Sequence, residues 1–168
     1  MTRLKLDLHM HPEEMSSFAP LTVAVVKNVL ESALDHGLDG IAVTEHENLA
    51  YGLKFVELVQ EHFPHYPLLV LPGREIRVKY HEEVEVYLPE GKVFRFLAHP
   101  ATSIEFNGNI GGIEVENSMH YISRRHVEEM LAASPHLLAL RNSDAHHYED
   151  VGKLFSEVAW NELLARAK

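Results

Sequence analysis

The chain has 168 residues, of which 46% are hydrophobic and 24% charged, so one globular domain over residues 1–168 is expected. It contains no cysteine, which excludes disulfides, thiolate metal ligands and a cysteine nucleophile. Its net charge of −10, without clustered Lys and Arg, argues against nucleic acid as a general partner. Because no stretch resembles a signal peptide or a membrane span, we expect a cytoplasmic protein without a membrane partner.

The hydrophobic pattern alternates between strand-like and helix-like stretches along the chain. In the first half it predicts a strand at 4–9, a helix at 20–36, a strand at 39–46, a helix at 49–63 and a strand at 67–78 that Pro72-Gly73 breaks. In the second half it predicts a hairpin of 83–88 and 93–98 around the sequence PEGK, a strand at 111–118, a helix at 123–133, strands at 136–146 and 155–160, and a terminal helix at 161–168.

Strand–helix alternation predicts parallel βα units, and polar residues follow nearly every predicted strand. An open doubly wound sheet needs polar residues at one switch point only, whereas a barrel builds its site from many carboxyl-terminal strand ends. The expected fold is therefore α/β: a small, closed or nearly closed βα barrel of about seven core strands, with 83–88 as an extra strand and the site at the carboxyl-terminal ends of the strands.

The sequence DLHMHP at residues 7–12 ends the first predicted strand. Side chains at i and i+2 of a strand point to the same face, so His9 and His11 are expected to project side by side where Pro12 stops the strand. Two such imidazoles can bind one metal ion, and they can equally be two surface histidines. The spacing alone leaves both interpretations open.

Later strand ends carry further side chains of the kinds that bind metal ions, namely His46, Glu75, His99, Asp144 and His146. Each has a simpler explanation alone: Glu75 can pair with Arg74 or Arg77, and Asp144 can cap a helix. Their convergence at one barrel mouth, however, requires cations to offset repulsion and desolvation. Without thiolates the donor set suits Zn²⁺, Mn²⁺ or Fe²⁺, its size implies two or three ions, and phosphate ester hydrolysis benefits most from such a cluster.

The sequences DLHMHP, TEHEN, PGREI, LAHP, IEVENS and NSDAH, followed by VGKLF, occur in an order that resembles the PHP (polymerase and histidinol phosphatase) family of metal-dependent phosphoesterases. The resemblance covers nearly the whole chain, and the pairing of the first motif with the closing SDAH is fairly specific. It implies a distorted seven-stranded βα barrel with a two- or three-metal site at the carboxyl ends of the strands.

The resemblance also implies roles for individual residues. The first ion would be held by His9, His11, Glu75 and Asp144, a second by Glu75 as a bridge and His99, and a third by His46 and His146. Glu75 and Asp144 are the implied catalytic residues, and Asn117 would line the substrate pocket.

The chain departs from the family pattern in three places. Glu45 stands where the family usually has aspartate, and we expect it to orient a ligand instead. The family often has a third-site ligand soon after the first motif, where this chain reads EEMSSF, so Glu13 or Glu14 is the candidate replacement. The family also often has a histidine on the strand after the bridging glutamate, and His81 is the nearest candidate ligand here.

The expected function is hydrolysis of a small phosphomonoester by a water molecule that several metal ions activate. Alternatives are a nuclease acting on nucleic-acid ends, an amidohydrolase and a non-catalytic metal-binding domain. The nuclease needs a positive path for the backbone that the sequence lacks, and amidohydrolases commonly have a bridging lysine where this chain has Glu75. Glu114, also on a predicted strand, is expected to tolerate substitution by glutamine better than Glu75 does.

Overall fold

The computed structural model describes residues 2–102, 105, 106 and 108–168. Its strands and helices are β1 (Arg3–Asp7), α1 (Pro12–Met15), α2 (Val23–Asp35), β2 (Gly40–Val43), α3 (Leu49–His62), β3 (Leu69–Val78), β4 (His81–Tyr87), β5 (Val93–Ala98), β6 (Gly112–Asn117), α4 (Arg124–Ala133), β7 (Leu138–Asn142), β8 (Ser156–Ala159) and α5 (Trp160–Arg166). Among the helices of these described residues, none combines the length and the apolar character needed to cross a membrane.

The strands form one eight-stranded sheet in the order β7-β6-β5-β4-β3-β2-β1-β8. Neighbours are parallel except at β4, which is antiparallel to β3 and β5, and at β8, which is antiparallel to β1. Between the two edge strands, the Arg141 N–H donates to Ser156 Oγ (2.7 Å), and the Ser156 hydroxyl donates to the Arg141 carbonyl (2.8 Å). The sheet thus curls into a nearly closed barrel, and the expected α/β barrel class is confirmed.

An apolar cluster fills the barrel, with contributions from β1 to β5 and from β7 and β8. Phe94 and Phe96 are among its largest buried members, and Leu163 of α5 packs into the same cluster. Outside the barrel, α2 and α3 pack over β2, and α4 packs over β5 and β6. The His9 ring lies edge-on to Phe96, with 6.4 Å between centroids, so the polar end of the barrel borders directly on its apolar interior.

Strand β3 runs unbroken through Pro72 and Gly73, so the predicted break at this point is wrong. The Pro-Gly pair instead marks the point where pairing with β4 begins, because β3 pairs with β2 up to Pro72 and with β4 from Gly73 onward. On the other side, the backbone of Glu75 still bonds Glu45 and Glu47, just past β2. A Cβ at Gly73 would lie 2.6 Å from the Glu85 carbonyl oxygen, and therefore only glycine allows β4 to approach this closely.

Candidate metal centre

The predicted metal ligands converge at one end of the barrel, although they follow or belong to β1, β2, β3, β5 and β7. Their ligand atoms fall into four overlapping groups, each within 4.8 Å: His9, His11 and Asp144; His9, Glu75 and His99; His99, His120 and Asp144; and His11, Glu14, His46 and His146. The groups include all of the predicted ligands except His81. They also contain Glu14, one of the two candidate replacements, and His120, which was not predicted.

The segment that carries His9 and His11 lies just past β1 and is held on both sides. The Thr44 N–H donates to the Met10 carbonyl (3.1 Å), and the His11 N–H donates to the Ala145 carbonyl (2.9 Å). Both imidazoles are fully buried, and their Nε2 atoms lie 3.2 Å apart. The two rings thus lie side by side, and the interpretation as two surface histidines is wrong because neither ring reaches solvent.

Asp144 completes the innermost group together with these two rings. Its Oδ1 lies 3.0 Å from His11 Nε2 and 3.5 Å from His9 Nε2. Asp144 has a φ of 52°, in the left-handed region, which costs a residue with a side chain roughly 1–2 kcal/mol. The helix-cap explanation for Asp144 does not apply, because the next helical turn begins only at Tyr148.

Glu75 lies within β3 and is almost fully buried. The explanation that it pairs with an arginine does not hold. Arg74 is bonded to Glu85 at 2.6 Å, and Arg77 is bonded to Glu82 at 2.7 Å. The Glu75 carboxylate therefore pairs with neither arginine and faces the histidines of the centre.

The two oxygens of Glu75 face different histidines. Oε1 lies 3.0 Å from His99 Nε2 and 3.5 Å from His9 Nε2. Oε2 lies 2.9 Å from His46 Nδ1 and 3.5 Å from His11 Nε2. A carboxylate placed between two sets of imidazoles in this way has the geometry of a bridging ligand.

Glu14 of α1 provides the carboxylate of the outermost group. Its Oε1 lies 3.3 Å from His46 Nε2, and its Oε2 lies 3.6 Å from His146 Nε2. Of the two candidates in EEMSSF, Glu14 lies in this group, whereas Glu13 donates its backbone N–H to Glu45 Oε1 (2.5 Å). This group is more open to solvent, since the His46 side chain is 53% exposed.

Three buried atoms of the centre have no hydrogen-bond partner among the described residues, namely Glu75 Oε2, Asp144 Oδ1 and His11 Nδ1. Glu75 Oε2 lies 2.9 Å from His46 Nδ1, and Asp144 Oδ1 lies 3.0 Å from His11 Nε2, but neither contact has the angles of a hydrogen bond. An unpaired buried polar atom costs about 1–3 kcal/mol, so such atoms are rare. Unpartnered carboxylate oxygens so close to imidazole nitrogens fit shared cations, and imidazole and carboxylate ligands suit Zn²⁺, Mn²⁺ and Fe²⁺.

The imidazoles and carboxylates of the centre shift each other's pKa. Burial lowers the pKa of His9, but the charges of Asp144, Glu114 and Glu75 outweigh burial and hold this pKa well above its usual value. Burial raises the pKa of Glu75 and Asp144, but interactions with the neighbouring histidines, led by His9, outweigh it and place both below their usual range. The carboxylates are therefore ionised, and a metal ion would displace protons from the imidazoles on binding.

Glu114 of β6 is fully buried behind His9, and its carboxylate accepts hydrogen bonds from several donors. Its Oε1 accepts from His9 Nδ1 (2.9 Å) and Asn142 Nδ2 (2.8 Å), and its Oε2 accepts from the His99 N–H (2.7 Å) and Asn117 Nδ2 (3.0 Å). The bond to Nδ1 directs the His9 Nε2 lone pair toward Asp144 and Glu75. The sequence did not indicate this role, and Glu114 was expected only to tolerate substitution by glutamine better than Glu75 does.

Asp7, the first residue of DLHMHP, is another buried carboxylate that supports the centre. It accepts hydrogen bonds from the Ser143 N–H (3.1 Å) and hydroxyl, and from the Gly152 N–H (2.9 Å). Burial outweighs these bonds and raises the pKa of Asp7 to about 6. The bonds tie the end of β1 to the residue before Asp144 and to the VGKLF segment.

The remaining predicted residues have different surroundings. Asn117 Nδ2 donates to Asp144 Oδ2 (3.1 Å), so this residue borders the centre, and its role in lining a substrate pocket stays a prediction. Glu45 Oε2 lies 3.8 Å from Nδ1 of the His11 ring, on the side away from Asp144. His81, at the start of β4, lies 2.7 Å from Glu83 Oε1 and in none of the groups found among the described residues.

Comparison with protein-family profiles and with curated proteins gives no match. Among solved structures, the chain is similar to PsfC from Pseudomonas syringae PB-5123, with a TM-score of 0.61, 17% identity and coverage of 90% of this chain and 80% of that one. It is also similar to a protein of Bifidobacterium adolescentis ATCC 15703 that is provisionally described as a metal-dependent phosphoesterase, with a TM-score of 0.66, 13% identity and coverage of 97% and 96%. These likenesses establish a shared fold.

Proposed function

We propose that this chain is a metal-dependent phosphoesterase of the PHP type, which hydrolyses a small phosphomonoester with two or three Zn²⁺, Mn²⁺ or Fe²⁺ ions. The observation that carries the proposal is the buried convergence of imidazoles and carboxylates in which Glu75 Oε2 and Asp144 Oδ1 lack hydrogen-bond partners among the described residues. The description of the Bifidobacterium adolescentis protein supports the same class of activity.

The ligand sets would be His9, His11, Asp144 and Glu75 for one ion, Glu75 and His99 for a second, and Glu14, His46 and His146 for a third. When bound, such ions lower the pKa of a water molecule and neutralise phosphoryl oxygens. Glu75 would fix the spacing between the sets, because Oε1 lies beside His99, Oε2 lies beside His46, and each oxygen also lies 3.5 Å from a histidine of the first set. Asn117 holds Asp144 Oδ2, so that Oδ1 stays directed at the paired histidines.

A small pocket opens beside Glu75 and supports a small substrate. Its volume is about 170 Å³, below the roughly 300–1,000 Å³ of most sites for larger organic ligands. Arg77 lines this pocket with a side chain that is 74% exposed. A guanidinium matches the geometry of phosphoryl oxygens, so Arg77 would bind the phosphate group at the pocket rim.

The proposal is tested by the hydrolysis of p-nitrophenyl phosphate by the wild-type protein loaded with Mn²⁺ or Zn²⁺. We expect turnover that a chelator abolishes, and His9→Ala should retain less than about a tenth of it because a buried ligand is lost. His65→Ala is the matched control, since His65 is exposed and precedes the amino-terminal end of β3.

A diester of p-nitrophenol separates the proposed activity from that of a nuclease. Preference for the diester would favour the nuclease, and failure of the metal-loaded protein to hydrolyse either ester would favour a non-catalytic metal-binding domain. Equal turnover in His9→Ala and His65→Ala would show that the activity does not depend on the buried pair of His9 and His11.

A further inference from the structure

The turn between β3 and β4 lies beyond the metal centre and presents an aromatic side chain to solvent. Strand β3 continues past Glu75 as far as Val78, and Lys79 begins the turn with a φ of 57°, in the left-handed region. Tyr80, which follows, is fully exposed. An exposed aromatic ring gains free energy when it packs on a ligand, and tyrosine loses little conformational entropy in doing so.

A pocket with a volume of about 150 Å³ lies beside this turn and reaches the metal centre. Its walls include the proposed ligand His99, the carboxylate of Glu82, and the apolar groups of Tyr80, Pro100 and Ala101. The pocket therefore combines a border with the metal centre, one acidic group and apolar surface.

This pocket meets the smaller pocket beside Glu75 at the side chain of Glu82, which lines both of them. Glu82 Oε1 is bonded to Arg77 at 2.7 Å, and its Oε2 lies 3.7 Å from His99 Nε2. A phosphomonoester whose phosphate group lies beside Glu75 and Arg77 can thus place its leaving group in the pocket beside Tyr80.

The volume and the walls of the pocket select the kind of leaving group. A cavity of roughly 150 Å³ inside a protein holds one benzene molecule, whereas a nucleoside consists of a sugar and a base and is larger. An aromatic ring has an electronegative face and an electropositive edge. Its edge therefore suits the carboxylate of Glu82, while its faces suit the apolar groups of Tyr80 and Pro100.

We propose that the pocket beside Tyr80 binds the leaving group of the substrate, and that this leaving group carries a single uncharged aromatic ring. This assignment rests on the proposed phosphoesterase function, and it adds Tyr80 as a residue that determines specificity. Hydrolysis breaks the bond between phosphorus and the ester oxygen, the oxygen of water takes its place, and the ring-bearing alcohol leaves with one proton of that water. Tyr80 exchanges no proton or electron in this step, and its ring covers the ring of the alcohol.

The first test compares kcat/KM for benzyl phosphate, ethyl phosphate and adenosine monophosphate in the Mn²⁺-loaded protein. Benzyl and ethyl phosphate are both esters of primary alcohols, so their ratio mainly reports binding of the ring. We expect wild type to prefer benzyl phosphate to ethyl phosphate by at least about tenfold, because a whole ring is removed from water, and also to prefer it to adenosine monophosphate.

Substitutions at the turn then show whether Tyr80 causes this preference. Tyr80→Ala should lower the benzyl-to-ethyl ratio by about three- to tenfold, the effect of losing one aromatic pair, and Tyr80→Phe should retain the ratio. Tyr121→Ala is the matched control, since Tyr121 is 87% exposed and does not line this pocket. Ala101→Phe fills the pocket from an exposed position and should also lower the ratio.

Binding of benzylphosphonate, which has no ester bond to hydrolyse, tests the pocket without turnover. Calorimetry with the Mn²⁺-loaded protein should show tighter binding than for ethylphosphonate, and Tyr80→Ala should reduce this difference. A benzyl-to-ethyl ratio that Tyr80→Ala leaves unchanged would overturn the assignment, and so would a preference for adenosine monophosphate. A protein that binds benzylphosphonate through Tyr80 but hydrolyses none of the esters would retain the ring pocket and lose the proposed function.

Discussion

At the scale of single residues, Glu75 should be the most sensitive carboxylate of the centre. Glu75→Gln keeps the size of the side chain but removes the charge shared between two groups of histidines. We expect the loss of at least one metal equivalent and a fall in turnover of about a hundredfold or more. Elemental analysis and p-nitrophenyl phosphate hydrolysis measure both effects.

Glu61→Gln is the control for this substitution, because Glu61 lies near the end of α3 with a side chain that is 63% exposed. If Glu75→Gln kept the metal content and turnover of Glu61→Gln, Glu75 would not be a ligand. The PHP assignment would then lose its bridging residue.

Glu114 should matter through His9 and not through direct contact with a metal ion. Its four hydrogen-bond partners among the described residues are all donors, so a glutamine would place an amide N–H against another donor. We expect Glu114→Gln to weaken Mn²⁺ binding by about 10–100-fold, the effect typical of a lost partner behind a metal-binding histidine. Calorimetric titration with Mn²⁺ measures the affinity.

Glu116→Gln is the matched control on the same strand, since Glu116 is 50% exposed and pairs with Arg141 at 2.6 Å. Equal Mn²⁺ affinities for the Glu114 and Glu116 variants would contradict the positioning role.

The sequence could not separate Glu114 from Glu116, because a strand with period two places both on one face. An irregularity of the β6–β7 register between them buries Glu114 and exposes Glu116.

At the scale of elements, the position of β3 depends on the close approach of β4 at Gly73, which a side chain as small as a methyl group would prevent. In Gly73→Ala the new Cβ would lie 2.6 Å from the Glu85 carbonyl oxygen and 2.8 Å from Thr44 Cγ2. We expect a loss of about 1–3 kcal/mol in the free energy of unfolding, together with weaker metal binding, because Glu75 is two residues away. Urea unfolding of the metal-free protein isolates the first effect.

Gly108→Ala is the control, since a Cβ at Gly108 meets no described atom within 4 Å. Similar unfolding midpoints for the two variants would mean that β4 can shift away from β3 at little cost. Metal titrations of both variants then show whether the position of Glu75 depends on this approach.

Most of the elements were predictable from the sequence because each has a strong local pattern. The α3 helix begins at Leu49 as predicted, and α2 begins at Val23 because Thr22 caps it. The continuity of β3 was not predictable, since a Pro-Gly pair is typical of a break, whereas here β3 is held by β2 on one side and by β4 on the other. Glu14 was only one of two candidates and His120 was not predicted, because neither residue lies on a strand whose alternation would indicate where its side chain points.

At the scale of the whole molecule, metal binding and stability should be linked. Ions that bind only the folded chain add about 2.7 kcal/mol for each site at a concentration of 100 times Kd. For a chain of this length, that free energy corresponds to a rise in Tm of roughly 5–10 °C. Thermal unfolding with Mn²⁺ and with a chelator measures the difference, which should shrink on acidification because protons compete for the imidazoles.

Glu75→Gln provides the comparison for this experiment, since a variant with fewer ions should gain less from Mn²⁺. Identical Tm values for wild type with Mn²⁺ and with a chelator would argue against resident metal ions. A gain of equal size in both proteins would point to binding elsewhere on the acidic surface.

The pairing of β1 with β8 has a consequence for the order of folding. Arg3 bonds to Glu157 across 154 positions of sequence, and His9 meets Asp144 only when the chain has returned to the first strand. Contacts of such long sequence separation form slowly, because the entropy of closing the loop is lost before they contribute. On the ribosome, a chain synthesised as far as β6 already carries His9, His11, Glu75 and His99 but not Asp144. Nascent chains of this length therefore hold most of the proposed ligands before the centre is complete, and tight metal binding would be a late event that reports the completed barrel.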